Sequence, residues 1–261
     1  METWFERTEL LFGKEKLEIL KRSHVLVMGL GGVGGFAAEM IARAGVGTMT
    51  IVDGDTVARS NRNRQLVALE STEGKLKSEV LAERLRSVNP DINLHVRSEY
   101  MRDERMQELI DAHDYDFVVD CIDTLAPKVF LIQRALERGL RIVSSMGAGN
   151  KTNPALASVA DLSQSYNCPL ARYVRKRLQK FGIRTGFPVV FSSELGDKSK
   201  VVVEQGVNKA STVGTVSFMP AVFGIHCASV VIRQLTGEQN YFKKVKKKKK
   251  KSSKKKGGDK A

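Results

Sequence analysis

Cysteine is scarce: there are three in a chain of 261 residues, and no two of them form a CxxC pair. That excludes a disulfide-built scaffold and a zinc site of paired cysteines, and it points to a reducing compartment. Histidine is equally sparse, and His24, His95, His113 and His226 lack metal-ligand spacing, so no zinc is expected. No continuous apolar run opens the chain, because residues 1–20 mix glutamate and lysine through the apolar positions. A secretory signal is thereby excluded and a cytoplasmic location expected. The most apolar late stretch, 215–235, approaches the ~20 residues that cross a bilayer. It carries Pro220, His226 and Arg233, however, and is read as a buried helix, with contact at a membrane surface as the lesser alternative. Acidic residues are nearly missing from 243–261, where twelve lysines face one aspartate. This tail supplies +11 of the net charge of +14, so the body is only mildly basic.

What remains is ordinary globular material, with 42% hydrophobic and 28% charged residues, which rules out global disorder. Over the first two-thirds, strand-like apolar runs alternate with helical patterns, the rhythm of parallel strands joined by crossover helices. Strands are predicted at 25–28, 48–52, 92–96, 117–121 and 140–145. Helices are predicted at 33–44, 75–88 and 102–112, and in a segment whose first turn holds Pro127. Beyond Gly147 the pattern breaks up, and the runs 189–191 and 201–203 suggest antiparallel strands. The expected fold is α/β: a Rossmann-like, mostly parallel sheet with flanking helices, extended by a C-terminal part with antiparallel strands. Residues 1–242 are read as one domain, with a nucleotide-binding part over about 20–150 and a substrate-side part over 151–242. The lysine tail, 243–261, cannot bury apolar surface and is expected to be disordered.

Gly29-Leu30-Gly31-Gly32-Val33-Gly34 satisfies GxGxxG directly after a predicted strand and at the opening of a helix. Glycines there allow a tight turn and a close approach of phosphate, and the helix N-terminus offers N–H groups and partial positive charge. Asp53 closes the next strand, nineteen residues after Gly34, where a carboxylate can bond ribose hydroxyls. A dinucleotide oxidoreductase, or a Rossmann module without catalysis, would share all of this. The segment after Asp53 is less expected in such proteins: Arg59, Arg62 and Arg64 cluster there, and Lys77 follows at a helix start. That much cation suits a triphosphate being cleaved, since charge accumulates on the departing pyrophosphate. Asp123, just beyond the strand that ends near Cys121, is either a helix N-cap or a carboxylate for a magnesium ion bridging to phosphate oxygens.

These residues, with Ala44-Gly45-Val46-Gly47, Ser60-Asn61, Asn63-Arg64-Gln65, Asn89-Pro90 and Asp120-Cys121-Ile122-Asp123, resemble the ubiquitin-activating-type adenylating enzymes. That family includes ThiF-like proteins that activate carboxyl termini for molybdopterin and thiamine synthesis. Further motifs place the resemblance in the branch that dehydrates threonylcarbamoyladenosine beside the tRNA anticodon: Arg7-Thr8-Glu9-Leu10-Leu11-Phe12-Gly13, Gly147-Ala148-Gly149, Cys168-Pro169-Leu170-Ala171, Phe191-Ser192-Ser193-Glu194 and 214–220. The missing CxxC pairs, and Thr124 where the wider family has Asn, fit the same branch. The resemblance implies an ATP- and Mg2+-dependent enzyme that adenylates the threonylcarbamoyl carboxylate and then cyclises it. It implies that Gly29, Gly31, Gly32, Gly34, Asp53, Asp55, Asn61, Arg64, Lys77 and Asp123 hold the nucleotide, and that Asp123 positions magnesium. Arg64, Lys77, Asp123 and Arg7 would be catalytic, Arg7 reaching the phosphates of a partner subunit in a homodimer. Arg62 is given no role. The alternative within the family is adenylation of the C-terminus of a sulfur-carrier or ubiquitin-like protein, which would make a carrier or sulfur-transfer protein a partner.

A tRNA substrate would give purpose to a predicted helix over 170–181 with Arg172, Arg175, Lys176, Arg177 and Lys180, otherwise readable as a solvated face. It would also give purpose to the lysine tail, which has no aromatic residue for base stacking. Deleting 243–261 is expected to weaken tRNA binding and flatten its dependence on salt while leaving ATP binding unchanged, as measured by titration at several salt concentrations. An unchanged salt slope refutes that role.

Overall fold

The computed structural model describes residues 4–203 and 211–238, so the lysine tail and the disorder expected of it lie outside the described residues. Seven strands form one sheet in the order β3-β2-β1-β4-β5-β7-β6. They are β1 (His24–Met28), β2 (Thr48–Val52), β3 (Asn93–Arg97), β4 (Phe117–Asp120), β5 (Ile142–Ser145), β6 (Ala157–Asp161) and β7 (Pro188–Ser192). All neighbours are parallel except β6 and β7. The expectation of an antiparallel strand at 189–191 is therefore half met. β7 runs antiparallel to β6 but parallel to β5, because it returns to the sheet after a crossover through a helix. A short hairpin of β8 (Val201–Val203) and β9 (Ser211–Val213) stands apart from the sheet.

The parallel strands are buried on both faces, which is why β4 reads as four consecutive buried residues rather than as an alternation. The helices are α1 (Glu6–Phe12), α2 (Lys14–Arg22), α3 (Gly34–Arg43), α4 (Lys77–Val88), α5 (Asp103–Asp111), α6 (Leu125–Glu137), α7 (Pro169–Leu178) and α8 (Phe218–Leu235). One core lies on the side of α3, α4 and α8, around Val27, Ile41, Leu81, Phe223 and Val231. The other gathers Leu26, Ile110, Val118, Ile132, Val174 and Leu178 beneath α5, α6 and α7. α8 is apolar and long enough to cross a bilayer. Here its Met219, Phe223, Cys227, Val230 and Val231 are buried in the first core, as the buried-helix reading expects.

Strand order reverses direction at β1, whose neighbours are β2 on one side and β4 on the other. In an open α/β sheet the crevice beyond the carboxyl ends of two such strands is where a ligand binds. The glycine loop after β1, Asp53 after β2 and Asp123 after β4 all lie at that edge.

The topology also joins three histidines that are far apart in sequence. The His24 ring lies 5.1 Å from that of His113 and 5.5 Å from that of His95, and the His95 and His113 rings are 4.6 Å apart. Tyr115 closes the group at 4.7 Å from His24, whose Nε2 sits 2.9 Å from Thr50 Oγ1. Burial, and then the neighbouring imidazoles of His113 and His95, push the His24 pKa down to about 4, against the opposing pull of Asp116. The unfolded chain therefore takes up this proton first as pH falls from 6.5. The stability His24 supplies is complete above about pH 6.5 and is lost between there and about pH 4. Melting temperatures measured across that window are expected to fall less steeply for His24→Gln than for the parent chain. Parallel curves would show that the group does not govern acid stability.

Candidate functional site

The glycine loop is fixed by backbone crowding. Gly29 has φ +85°, and a Cβ there would lie 2.9 Å from the carbonyl oxygen of Cys121. A Cβ on Gly34 would meet Gly29 O at 1.7 Å, so α3 can begin at this point only with glycine. Asp53 anchors the loop from β2: its Oδ2 accepts from Leu30 N at 2.6 Å and its Oδ1 from Asp55 N at 2.8 Å. Burial pushes the Asp53 carboxyl up, against the downward pull of those two N–H groups and of Lys77. Each oxygen retains a second lone pair with which a sugar hydroxyl could bond.

The segment after β2 wraps the same loop. A Cβ on Gly32 would come within 3.3 Å of Arg64 O, and one on Gly31 within 3.6 Å of Gln65 Nε2. Asn61 is buried in a 3-10 turn, where its Oδ1 accepts from Ala58 N at 3.1 Å. The half-buried Arg64 guanidinium donates to Ser60 O at 3.0 Å and to Asn63 Oδ1 at 2.8 Å, and Asn63 Nδ2 donates to Thr215 O at 3.1 Å. Arg62 points elsewhere, toward Glu70 at 4.0 Å. Lys77 opens α4 with its side chain buried, and its Nζ sits 2.8 Å from Asp55 Oδ2. Tyr100 also donates to Asp55, and that bond pushes the phenol up to about 12.

Asp123 is exposed in the turn after β4. The N-cap of α6 is Thr124, which makes no side-chain cap bond, so Asp123 is not the capping residue. The turn is held from below by a fully buried pair, Lys128 Nζ to Asp120 Oδ2 at 2.7 Å, with Ser144 Oγ donating to the same oxygen at 2.5 Å. Asp120 Oδ1 accepts from Ile122 N at 3.1 Å. Among the described residues no group of three or more metal-ligating side chains could hold a metal by itself.

Arg7 stands apart from this cluster, exposed on α1. That helix packs on α2, buries none of its own side chains and exposes Leu10 and Leu11. Of the basic residues on α7 and on the 3-10 turn Gln179–Phe181 that continues it, Arg172, Lys176, Arg177 and Lys180 face solvent. Arg175 turns inward and donates to Ser165 O at 2.6 Å.

Two residues escaped the sequence reading of the site. Tyr100 lies 45 positions from the carboxylate it bonds, and no local pattern announces that contact. Gln65 is buried against the glycine loop, and its Oε1 has no hydrogen-bond partner among the described residues. Its place directly after Arg64 was the available signal. A cavity of about 330 Å³ is lined by Asn150, Lys151, Thr152, Glu194, Lys200 and Thr215, among others, and Thr215 O is the acceptor of the Asn63 amide. Glu194 is clamped there by the N–H groups of Asn153 and Thr152, which hold its carboxyl below the usual range. Burial lowers the Lys151 pKa.

The Cys121 thiol contacts that of Cys227, and this contact together with burial raises its pKa well above that of a free thiol. A thiolate nucleophile is disfavoured at that position.

The sequence and fold match those of known proteins. The chain is 42% identical over 205 residues to the tRNA threonylcarbamoyladenosine dehydratase of Bacillus subtilis, covering 78% of this chain and 79% of the relative. It is 31% identical over 255 residues to the protein of that name from Escherichia coli, covering 90% and 95%. The crystal structure of the E. coli dehydratase TcdA in complex with ATP superposes with a TM-score of 0.82 at 31% identity, covering 90% of this chain and 94% of that one. The sequence pattern of the ThiF family matches residues 5–256, and the chain belongs to that family.

Proposed function

We propose that this chain is an ATP-dependent tRNA-modifying enzyme that adenylates the carboxylate of threonylcarbamoyladenosine next to the anticodon and dehydrates it to the cyclic form. The observation that carries this reading is the glycine loop with an arginine- and lysine-bearing segment wrapped around it: the backbone of Arg64 lies against Gly32, and buried Lys77 pairs with Asp55 just past the end of β2. Relatives of matching length that bear the dehydratase name support the choice of substrate.

A carboxylate oxygen of the threonylcarbamoyl group attacks the α-phosphorus of ATP, and the bond to the β-phosphate oxygen breaks. Asn61, Arg64 and Lys77 take up the charge of the leaving pyrophosphate, while Asp53 holds the ribose and Gln65 fills out the cradle. The neighbouring urea group then closes on the activated carbonyl and expels AMP, so ATP cleavage drives the loss of water. No protein nucleophile is needed, because the substrate supplies both reacting groups and the enzyme supplies position and charge. Lys77 shares its ammonium between Asp55 and the nucleotide in this scheme, which gives Asp55 the role of orienting it.

The exposed Asp123 carboxylate suits a magnesium ion, which takes one or two carboxylates and completes its shell with phosphate oxygens and water. When bound, the ion neutralises charge on the polyphosphate. Exposed Leu10 and Leu11 on α1 support a homodimer in which this helix packs on a second copy and Arg7 reaches that copy's phosphates. Residues 1–242 act as one adenylating domain in the cytoplasm, with Arg172, Lys176, Arg177 and Lys180 contributing to tRNA affinity.

Incubation with ATP, magnesium and tRNA bearing threonylcarbamoyladenosine, followed by digestion and mass spectrometry, is expected to show loss of one water at that nucleoside. Arg64→Ala and Asp123→Ala are each expected to lower the rate by about 10²–10³. If no water is lost and carrier proteins instead stimulate ATP–pyrophosphate exchange, the adenylation site stands and the substrate is a protein C-terminus.

A further inference from the structure

Between residues 162 and 193 the chain carries no aspartate or glutamate, but it does carry six cations: Arg172, Arg175, Lys176, Arg177, Lys180 and Arg184. This segment alone is net +6, whereas residues 1–242 together are +3, so the rest of the body is net negative. The positive field of the body is therefore concentrated here, on and around α7.

Aromatic rings are exposed within the same segment. Tyr173 and Phe181 present 53% and 54% of their surface to solvent. On α7 the inward residues are Ala171, Val174 and Leu178, which pack in the second core. Lys176 and Arg177 share the outward stripe with Tyr173 (i+3 and i+4), and Lys180 is exposed just past the helix end. Phe181 follows on the 3-10 turn that continues the helix. Both rings thus stand outside the two cores, exposed beside these cations.

The helix starts at the rim of the catalytic edge. Its N-cap, Cys168, has its sulfur 3.5 Å from where a Cβ on Gly147 would lie, just beyond the end of β5. The preceding Asn167 O accepts from Lys151, which lines the cavity whose Thr215 O bonds Asn63. Ten residues of helix reach about 15 Å away from that rim.

From this placement we infer that Tyr173 and Phe181 are stacking platforms for unpaired nucleobases of the RNA substrate, with Lys176, Arg177 and Lys180 tracking the adjoining phosphates. The inference rests on the RNA-modifying reading above and adds how the loop is distinguished from its stem. Duplex RNA keeps its bases stacked inward, whereas an anticodon loop can splay bases onto an aromatic face. An anionic membrane is the less favoured partner, because α7 has no spare apolar stripe to insert beside its cations.

The test measures binding of the full chain to a stem–loop RNA and to a blunt duplex RNA of equal charge, across a range of salt concentrations. Tyr173→Ala and Phe181→Ala are each expected to weaken stem–loop binding about 5- to 100-fold, with duplex affinity and salt slope unchanged. Tyr173→Phe keeps a ring and is expected to stay within about two-fold of the parent. Lys176→Ala is expected to weaken both RNAs and to lower the salt slope by about 0.7–0.9. Equal weakening of stem–loop and duplex by Tyr173→Ala, or no weakening of either, overturns the stacking role, provided that the melting temperature matches the parent. Capture by vesicles rich in anionic lipid that is lost in Tyr173→Ala, with RNA binding intact, overturns it in favour of a membrane. Loss of water at threonylcarbamoyladenosine by the parent chain is scored separately. Its absence would sink the proposed reaction, while the stem–loop comparison would still decide the stacking role.

Discussion

The architecture turns on one backbone contact, between the carbonyl of Gly29 and the first residue of α3. With only 1.7 Å available where a Cβ on Gly34 would stand, the strand, the turn and the helix fit together because no side chain intervenes. The same crowding continues outward. A Cβ on Gly224 of α8 would lie 2.4 Å from Val33 O, and one on Gly32 would lie 2.9 Å from Pro220. α8 therefore lies directly on the loop that opens α3, with backbone nearly against backbone. This accounts for a helix apolar enough for a membrane in a chain that uses it as core: it covers the nucleotide loop and buries the face of α3 behind it.

Charge inside the fold is handled by local pairing. Asp120 and Lys128 are both fully buried, an arrangement whose desolvation cost is offset by a 2.7 Å contact and by Ser144 on the same oxygen. Asp120 Oδ1 also holds Ile122 N, so the buried pair sets the turn that presents Asp123. Losing one partner would leave the other charged and uncompensated, a change that typically costs about 3–5 kcal/mol. Across the crevice, Lys77 and Asp55 repeat the device nearer the surface, where the pair is open to competition from a polyanion.

How much of this could be read in the sequence follows from range. The parallel strands, the glycine loop and Asp53 are each signalled within a dozen residues, by apolar runs and by spacing, and the structure has them where expected. β6 was not foreseen: Ala157–Asp161 has little apolar contrast, and its pairing with β7 is decided some thirty residues later. The direction of β7 was half misjudged because a short apolar run says nothing about which neighbour it will join. Asp123 could be read as a cap or as a binding carboxylate, and the structure gives the N-cap position to its neighbour Thr124, a one-residue difference that no sequence pattern resolves. Tyr100 on Asp55, Arg175 on Ser165 and the His24–His95–His113 cluster depend on chain reversals that no local period encodes.

The strand order also gives the proposed chemistry a direction. Attack at the α-phosphorus requires the incoming carboxylate and the departing pyrophosphate to lie on opposite sides of the reacting centre. Asn61, Arg64 and Lys77 all come from the crossover between β2 and β3, on one side of β1. The cavity beside Lys151 and the start of α7 come from the connections after β5, on the other. In the proposed scheme the leaving group is met from the half rich in short-range glycine and arginine motifs, and the substrate comes from the half built of loops. In an enzyme whose substrate carries both reacting groups, that separation is most of what the protein has to supply.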